Sequence, residues 1–247
     1  MLKNLKKNYS PNFSTPKRNL NMIKYLIIHY TGMLSENKAI NRLTDVNSKV
    51  SCHYFIKKNG EILVLVPDLY IAWHAGKSRW KHYKSLNLNS IGLEISNPGH
   101  DHNYKKFTKK QIKSIIKLSK ILIKKYNINS KNILGHSDIS PERKKDPGEK
   151  FPWKKLSKQG IGLWHSISIK LLKKNRKIEL DKVNKKIFYD NLSKIGYVMK
   201  KTENSKNRKF NNYIVKAFQR RFRQELVNGK PDKECLIISS NLAKKFS

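Results

Sequence analysis

The sequence predicts an α/β fold, a sheet covered by helices, followed by a small three-helix C-terminal module. Three observations predict it. Short apolar runs of strand length recur between residues 22 and 135, one pair of them arranged as a hairpin. One long segment beginning at Thr108 carries apolar residues at helical spacing. After about residue 170 the texture changes, and the remaining apolar patterns all read as helices.

Taken in order, residues 1–21 read as a basic, polar N-terminal arm. "MIKYLIIHYTG" (22–32) reads as a buried strand, an apolar run that ends at Gly32. "SENKAINRLTDVNSK" (35–49) has helical character, with Ser35 as its N-cap. "VSCHYFIKKNGEILVLVPD" (50–68) is two β-rich runs around Lys58-Asn59-Gly60, the pattern of a hairpin. "SIGLEISNPG" (90–99) is a further strand, stopped by Pro98-Gly99. Thr108 and Gln111 form a capping-box pattern, and Ile112, Ile115, Ile116, Leu122, Ile123 and Tyr126 follow on one helical face. "KNILG" (131–135) is a short strand leading into His136. Helices are expected over 181–197, 210–226 and 232–246, with the Lys-rich stretch 170–182 as a link or an extension of the first domain.

The chain has 247 residues, long enough for one large domain or two unequal ones. It contains no apolar run of the roughly 18–20 residues that a membrane helix needs. The basic N-terminus lacks the apolar middle of a secretory signal, so a cytoplasmic location is expected, with export by a non-classical route to the periplasm or beyond as the alternative. The net charge of +37 attracts anionic polymers, although the joint richness in Lys, Asn and Ile also fits AT-rich codon usage. Cys52 and Cys235 are expected as free thiols, and a Cys-rich zinc site is excluded.

The most unusual stretch is "GHSDISPERKKDPGEKFPW" (135–153). It holds four acids, four bases and three prolines, and so is expected as a stiff polar loop containing no core helix or strand. Three histidines stand at or beside predicted strands: His29 at an end, His53 within one, His136 just after one. Strand ends at one sheet edge are where α/β proteins place ligands. Asp146 lies ten residues past His136, and Glu94 lies on another strand. Two His and one carboxylate are a common catalytic zinc set, yet a packed or surface role for each histidine stays open on composition alone.

The segments "YLIIHYTG", "VSCHYFIKKNGEILVLVPD", "AWHAG", "SIGLEISN" and "ILGHSDISPERKKDPGEKFPW" occur in the order of the motifs of the type 2 N-acetylmuramoyl-L-alanine amidases, which the chain resembles from about residue 22 to 165. That family takes in cytosolic and envelope wall amidases and the animal peptidoglycan recognition proteins. The resemblance implies a mixed central sheet flanked by helices and one zinc ion per chain, held by His29, His136 and Asp146. It implies Glu94 as the acid/base and Lys144 as the cation beside the oxyanion. His53 is similar to a family histidine near the metal that supports the site, and Trp73 and His74 look like cleft residues. Arg143 is placed to reach an anionic sugar or peptide carboxylate. Cys52 is read as packing, because adjacent strand residues point to opposite faces and a Cys52–His53 pair could not act together.

The implied reaction is hydrolysis of the amide between the lactyl group of N-acetylmuramic acid, or its 1,6-anhydro form, and L-alanine, in peptidoglycan or its turnover fragments. On this reading the catalytic domain spans 22–170. Residues 181–247 form a three-helix module in which "IVKAFQRRFRQELVNGKPDKECL" faintly resembles a peptidoglycan-binding module. The chemistry is expected to reside in 1–170. Two other classes are weighed: a non-catalytic recognition protein, which the complete ligand set disfavours, and a basic nucleic-acid-binding protein. The second rests on the charge and on "AFQRRFR", where Phe218 and Phe222 are better explained as core, so no specific nucleic-acid partner is expected.

Overall fold

The computed structural model describes residues 5–200 and 204–246. In chain order the strands are β1 (Lys6–Lys7), β2 (Phe13–Ser14), β3 (Tyr25–Tyr30), β4 (Tyr54–Ile56), β5 (Ile62–Val64), β6 (Ile71–Ala72), β7 (Arg79–Trp80), β8 (Tyr83–Lys84), β9 (Ser90–Ile95) and β10 (Ile133–Gly135). The helices are α1 (Glu36–Thr44), α2 (Lys109–Tyr126), α3 (His136–Ile139), α4 (Trp153–Ser157), α5 (Ile169–Asn175), α6 (Lys182–Ile195), α7 (Ser205–Phe222) and α8 (Lys233–Phe246). Six strands form the main sheet in the order β1-β5-β4-β9-β3-β10. Only the β4–β5 hairpin pairs antiparallel; the other four pairings are parallel, so the sheet is mixed. No helix among the described residues is long and apolar enough to cross a membrane.

The alternation of side chains along β3 divides the core. Leu26 and Ile28 point into a cluster with Ile91, Leu93 and Ile115, which α2 covers. That helix starts as its sequence dictates: the Thr108 hydroxyl accepts from the Gln111 N–H, and the Gln111 side chain accepts from the Thr108 N–H. Tyr25 and Ile27 point to the other face, into a cluster with Leu134, Ile139, Phe188, Phe218 and Ile238. The C-terminal helices therefore share a core with the sheet. Farther along the same sheet, α1 covers Phe55, Leu63 and Leu65.

Three expectations change. The N-terminal arm is built into the fold from its first described residues: β1 adds a parallel strand beside β5, and β2 pairs with β6. Arg18 is buried and donates to the carbonyls of Asp68, Asn87, Leu88 and Ser90, so this polar segment is held by hydrogen bonds that an apolar pattern cannot reveal. Within 135–153, expected to hold no core element, residues 136–139 form one buried helical turn. Its polar groups are satisfied, since the Asp138 carboxylate accepts from the Gly135 N–H (2.8 Å), the Tyr197 hydroxyl (2.6 Å) and the Arg221 guanidinium (2.7 Å). Finally, α7 begins at Ser205, five residues before the expected start, with Asn204 capping its first turn.

Candidate active site

A cleft of about 490 Å³ opens over the C-terminal ends of β3 and β9, lined on its sides by α1 and by the loop that carries Arg143–Asp146. His29 and Glu94 are register partners on these neighbouring parallel strands, so both side chains project from the same face of the sheet into the cleft. His136 enters from the first residue of α3, directly after β10, which is itself paired with β3. Asp146 comes from the loop that follows. Its carbonyl accepts from the Ser137 N–H at 2.8 Å, which closes the loop back on the helical turn.

These pieces bring three ligand atoms together. His29 Nδ1 lies 2.9 Å from His136 Nδ1, and the Asp146 Oδ2 lies 3.2 and 3.1 Å from them. Donor atoms bonded to a tetrahedral ion at about 2.0–2.1 Å stand roughly 3.3 Å apart. The His136 Nε2 faces the carbonyl oxygen of Ala75 at 3.2 Å, a group that only accepts, so this nitrogen carries the proton and Nδ1 offers its lone pair. Two ring nitrogens and one carboxylate oxygen at this spacing fit a divalent cation, and the three buried residues form a group that could hold one.

The electrostatics agree with the donor set. Burial, then the neighbouring His136, lowers His29 to about 4 and so favours the neutral ring. Burial alone would raise Asp146, yet His136 and His29 together hold it well below the usual carboxylate range. Glu94 goes the other way: burial and then Asp146 push it up to about 8, with Lys144 opposing. A dication at the ligand cluster adds positive charge on the same side as Lys144 and moves this carboxyl back toward its ionised form.

Lys144 lines the cleft on the ligand loop, and its backbone N–H is fixed to the Ser140 carbonyl at 2.9 Å. No ion pair joins it to Glu94 among the described residues. Trp73 and His74 also line the cleft, with the Trp73 indole donating to Ser14 at 2.8 Å. His74 Nδ1 lies 3.0 Å from His29 Nε2. His53 stands behind them, its ring against His74 and its Nδ1 accepting from the Gly92 N–H. Arg143 is in the cleft wall, where one guanidinium nitrogen is bonded to the carbonyls of Ala75 and Lys77 and to the Ser140 hydroxyl. Cys52 is fully buried in the cluster under α1.

Sequence reasoning passed over two parts of the cleft. Arg42 reaches it from α1, where the helical pattern carried no chemical motif. Tyr30 also lines it, and its hydroxyl is 2.7 Å from His100 Nδ1, whose Nε2 meets the Glu149 carboxylate at 3.0 Å. Tyr30 follows His29 directly and was legible as a neighbour, but its partners are 70 and more residues away.

A cluster that could ligate a metal, beside an unpaired carboxylate and a lysine on the strand ends of a mixed α/β sheet, is the arrangement of a hydrolytic enzyme. Family comparison specifies which: the model of N-acetylmuramoyl-L-alanine amidases matches residues 19–149, and the chain belongs to that family. The N-acetylmuramoyl-L-alanine amidase AmiD of Escherichia coli K12 is 34% identical over 91% of this chain and 83% of its own length. The 1,6-anhydro-N-acetylmuramyl-L-alanine amidase AmpD of Haemophilus influenzae is 32% identical over 59% of this chain and 86% of its own. The structure of E. coli AmiD with anhydro-N-acetylmuramic acid-L-Ala-D-gamma-Glu-L-Lys superposes with a TM-score of 0.78 at 33% identity, covering 94% of this chain and 93% of that one. AmpDh3 of Pseudomonas aeruginosa with anhydromuramic pentapeptide gives 0.79 at 28% identity, covering 100% and 99%.

Proposed function

We propose that this protein is a zinc amidase that hydrolyses the amide between the lactyl group of N-acetylmuramic acid, including its 1,6-anhydro form, and L-alanine in peptidoglycan or its turnover fragments. The observation that carries it is the convergence of His29 Nδ1, His136 Nδ1 and Asp146 Oδ2 within 3.2 Å of one another, at the floor of a cleft shared with Glu94 and Lys144. Relatives with this architecture hold anhydro-muropeptides in their solved complexes.

His29, His136 and Asp146 would hold the zinc. When bound it supplies a Lewis acid that polarises the scissile carbonyl and lowers the pKa of water toward ~7. Glu94, ionised, takes one proton from the attacking water and returns it to the departing L-alanine nitrogen, so the carboxyl ends as it began. The Lys144 ammonium, which lines the same cleft, would stabilise the negative charge that develops on the carbonyl oxygen. The cations of Arg42, on α1, and Lys145, on the ligand loop, also line the cleft and suit the carboxylates of a stem peptide.

Purified protein is expected to contain about one equivalent of zinc and to lose it with its activity on chelation. Metal analysis of His136→Ala checks the ligand set: full zinc and full turnover in that variant would overturn it. Lys144→Ala is expected to keep its zinc and lower kcat on the order of 10² or more, as for a lost oxyanion donor. Steady-state assay on an anhydro-muropeptide reads this, and unchanged kcat would remove Lys144 from the mechanism.

A further inference from the structure

The segment Trp73–Ala75 touches both histidines of the metal cluster from behind. The Ala75 carbonyl faces His136 Nε2 at 3.2 Å, and His74 Nδ1 faces His29 Nε2 at 3.0 Å. The segment is itself fixed, because the Asn87 side-chain oxygen accepts from the backbone N–H of both His74 (3.2 Å) and Ala75 (2.7 Å).

For His136 the proton placement is settled by the carbonyl. For His29 it depends on a partner that could either donate or accept, and the next atoms in line decide it. The Ser90 hydroxyl has one proton, and its Oγ lies 2.6 Å from the Leu86 carbonyl oxygen, which can only accept. That proton is therefore committed, and Ser90 Oγ is an acceptor toward His74 Nε2, 3.2 Å away. His74 then carries its proton on Nε2 and has a bare Nδ1, which accepts from His29 Nε2. His29 is left with a bare Nδ1, the atom that meets His136 and Asp146.

We propose that His74 is a positioning residue, which fixes the proton of His29 on Nε2 through the chain Leu86–Ser90–His74 and so presents Nδ1 to the metal. This rests on the reading of His29, His136 and Asp146 as metal ligands. Outer partners of this kind set the ring orientation and basicity of a ligand histidine. The main chain is shaped to admit the ring: a Cβ on Gly92 would come within 2.5 Å of His74 Cγ and 2.7 Å of its Nδ1. Gly92 sits on β9, two residues before Glu94 and in register with Ile27, on the face of the sheet that bears His29. A side chain there would push the imidazole away from His29.

The test uses the full-length zinc-loaded protein. Histidine nitrogen NMR is expected to place the His74 proton on Nε2 with Nδ1 unprotonated. His74→Leu keeps bulk but removes the acceptor, and zinc affinity by chelator competition is expected to fall by about 10–100-fold. His74→Asn returns an acceptor near the Nδ1 position and should recover most of that loss. Gly92→Ala, which alters neither ring, should weaken zinc in the same direction. A merely structural role would make His74→Asn and His74→Leu alike and would leave the proton position unconstrained. Finding the His74 proton on Nδ1, or zinc affinity unchanged in both His74→Leu and Gly92→Ala, overturns the positioning role while leaving the ligand set intact. Wild-type protein that takes up no zinc overturns the ligand reading and the role of His74 with it.

Discussion

Glu94→Gln is expected to lower kcat by roughly 10²–10⁴ with zinc content unchanged. The amide keeps the shape of the carboxyl but cannot take a proton from water. The size of the effect follows from isolation: no hydrogen bond or ion pair to the Glu94 carboxyl exists among the described residues, and its nearest charged neighbours act through space. A residue whose carboxyl holds nothing together is replaced at little structural cost, so the loss should fall on turnover and leave the melting temperature near that of wild type. The decisive comparison is kcat per zinc-loaded molecule on an anhydro-muropeptide. Normal turnover in a destabilised Glu94→Gln protein would make the carboxylate structural and remove it from the mechanism; His53 is buried behind His74 with both ring nitrogens engaged and could not replace it.

Arg221→Met is expected to destabilise the fold by about 3–5 kcal/mol, the usual consequence of removing one partner from a buried pair. Arg221 donates to Asp138 at 2.7 Å and to the Ile133 carbonyl at 2.7 Å, and its guanidinium lies 4.5 Å above the Trp153 ring. Both charged side chains are almost fully buried, at 4% and 1% exposure, so water cannot replace the lost partner. Asp138 would keep only the Tyr197 hydroxyl and the Gly135 N–H. The double variant Asp138→Asn/Arg221→Met should recover a large part of the loss, because no charge is then stranded. Denaturant titration of the two singles and the double measures the coupling. A single variant within ~1 kcal/mol of wild type would show that the pair contributes little.

The sequence made β3, β4, β5, β9 and β10 and the start of α2 legible because each carries a local signal: a short apolar run bounded by turn residues, apolar residues at helical spacing, a capping box. The placement of His29 and Glu94 on one face also follows from local pattern once their strands are known to be parallel neighbours. What the sequence hid is held by distant polar partners. Arg18 meets carbonyls 50 to 72 residues away, and Asp138 meets Tyr197 and Arg221 at separations of 59 and 83. Read locally, Asp138 is one more charge in a polar loop; with its partners it becomes the centre of a buried helical turn. The orienting role argued for His74 was hidden for the same reason, since it depends on the proton of Ser90, 16 residues on.

The cluster that Tyr25, Ile27 and Leu134 form with Phe188, Phe218 and Ile238 leaves the chain without a seam between its sheet and its C-terminal helices. Heat should therefore melt the protein in one step, with calorimetric and van't Hoff enthalpies equal, where two separable halves would give two transitions. The same feature bears on survival among proteases. From sequence alone the chemistry is expected to reside in 1–170, but a cut near residue 175 would bare the apolar side of β3 and β10 and untie Asp138, two residues from His136, so the released fragment is expected to be inactive. Resistance to nicking is then set by the opening of the whole molecule rather than by the mobility of a linker.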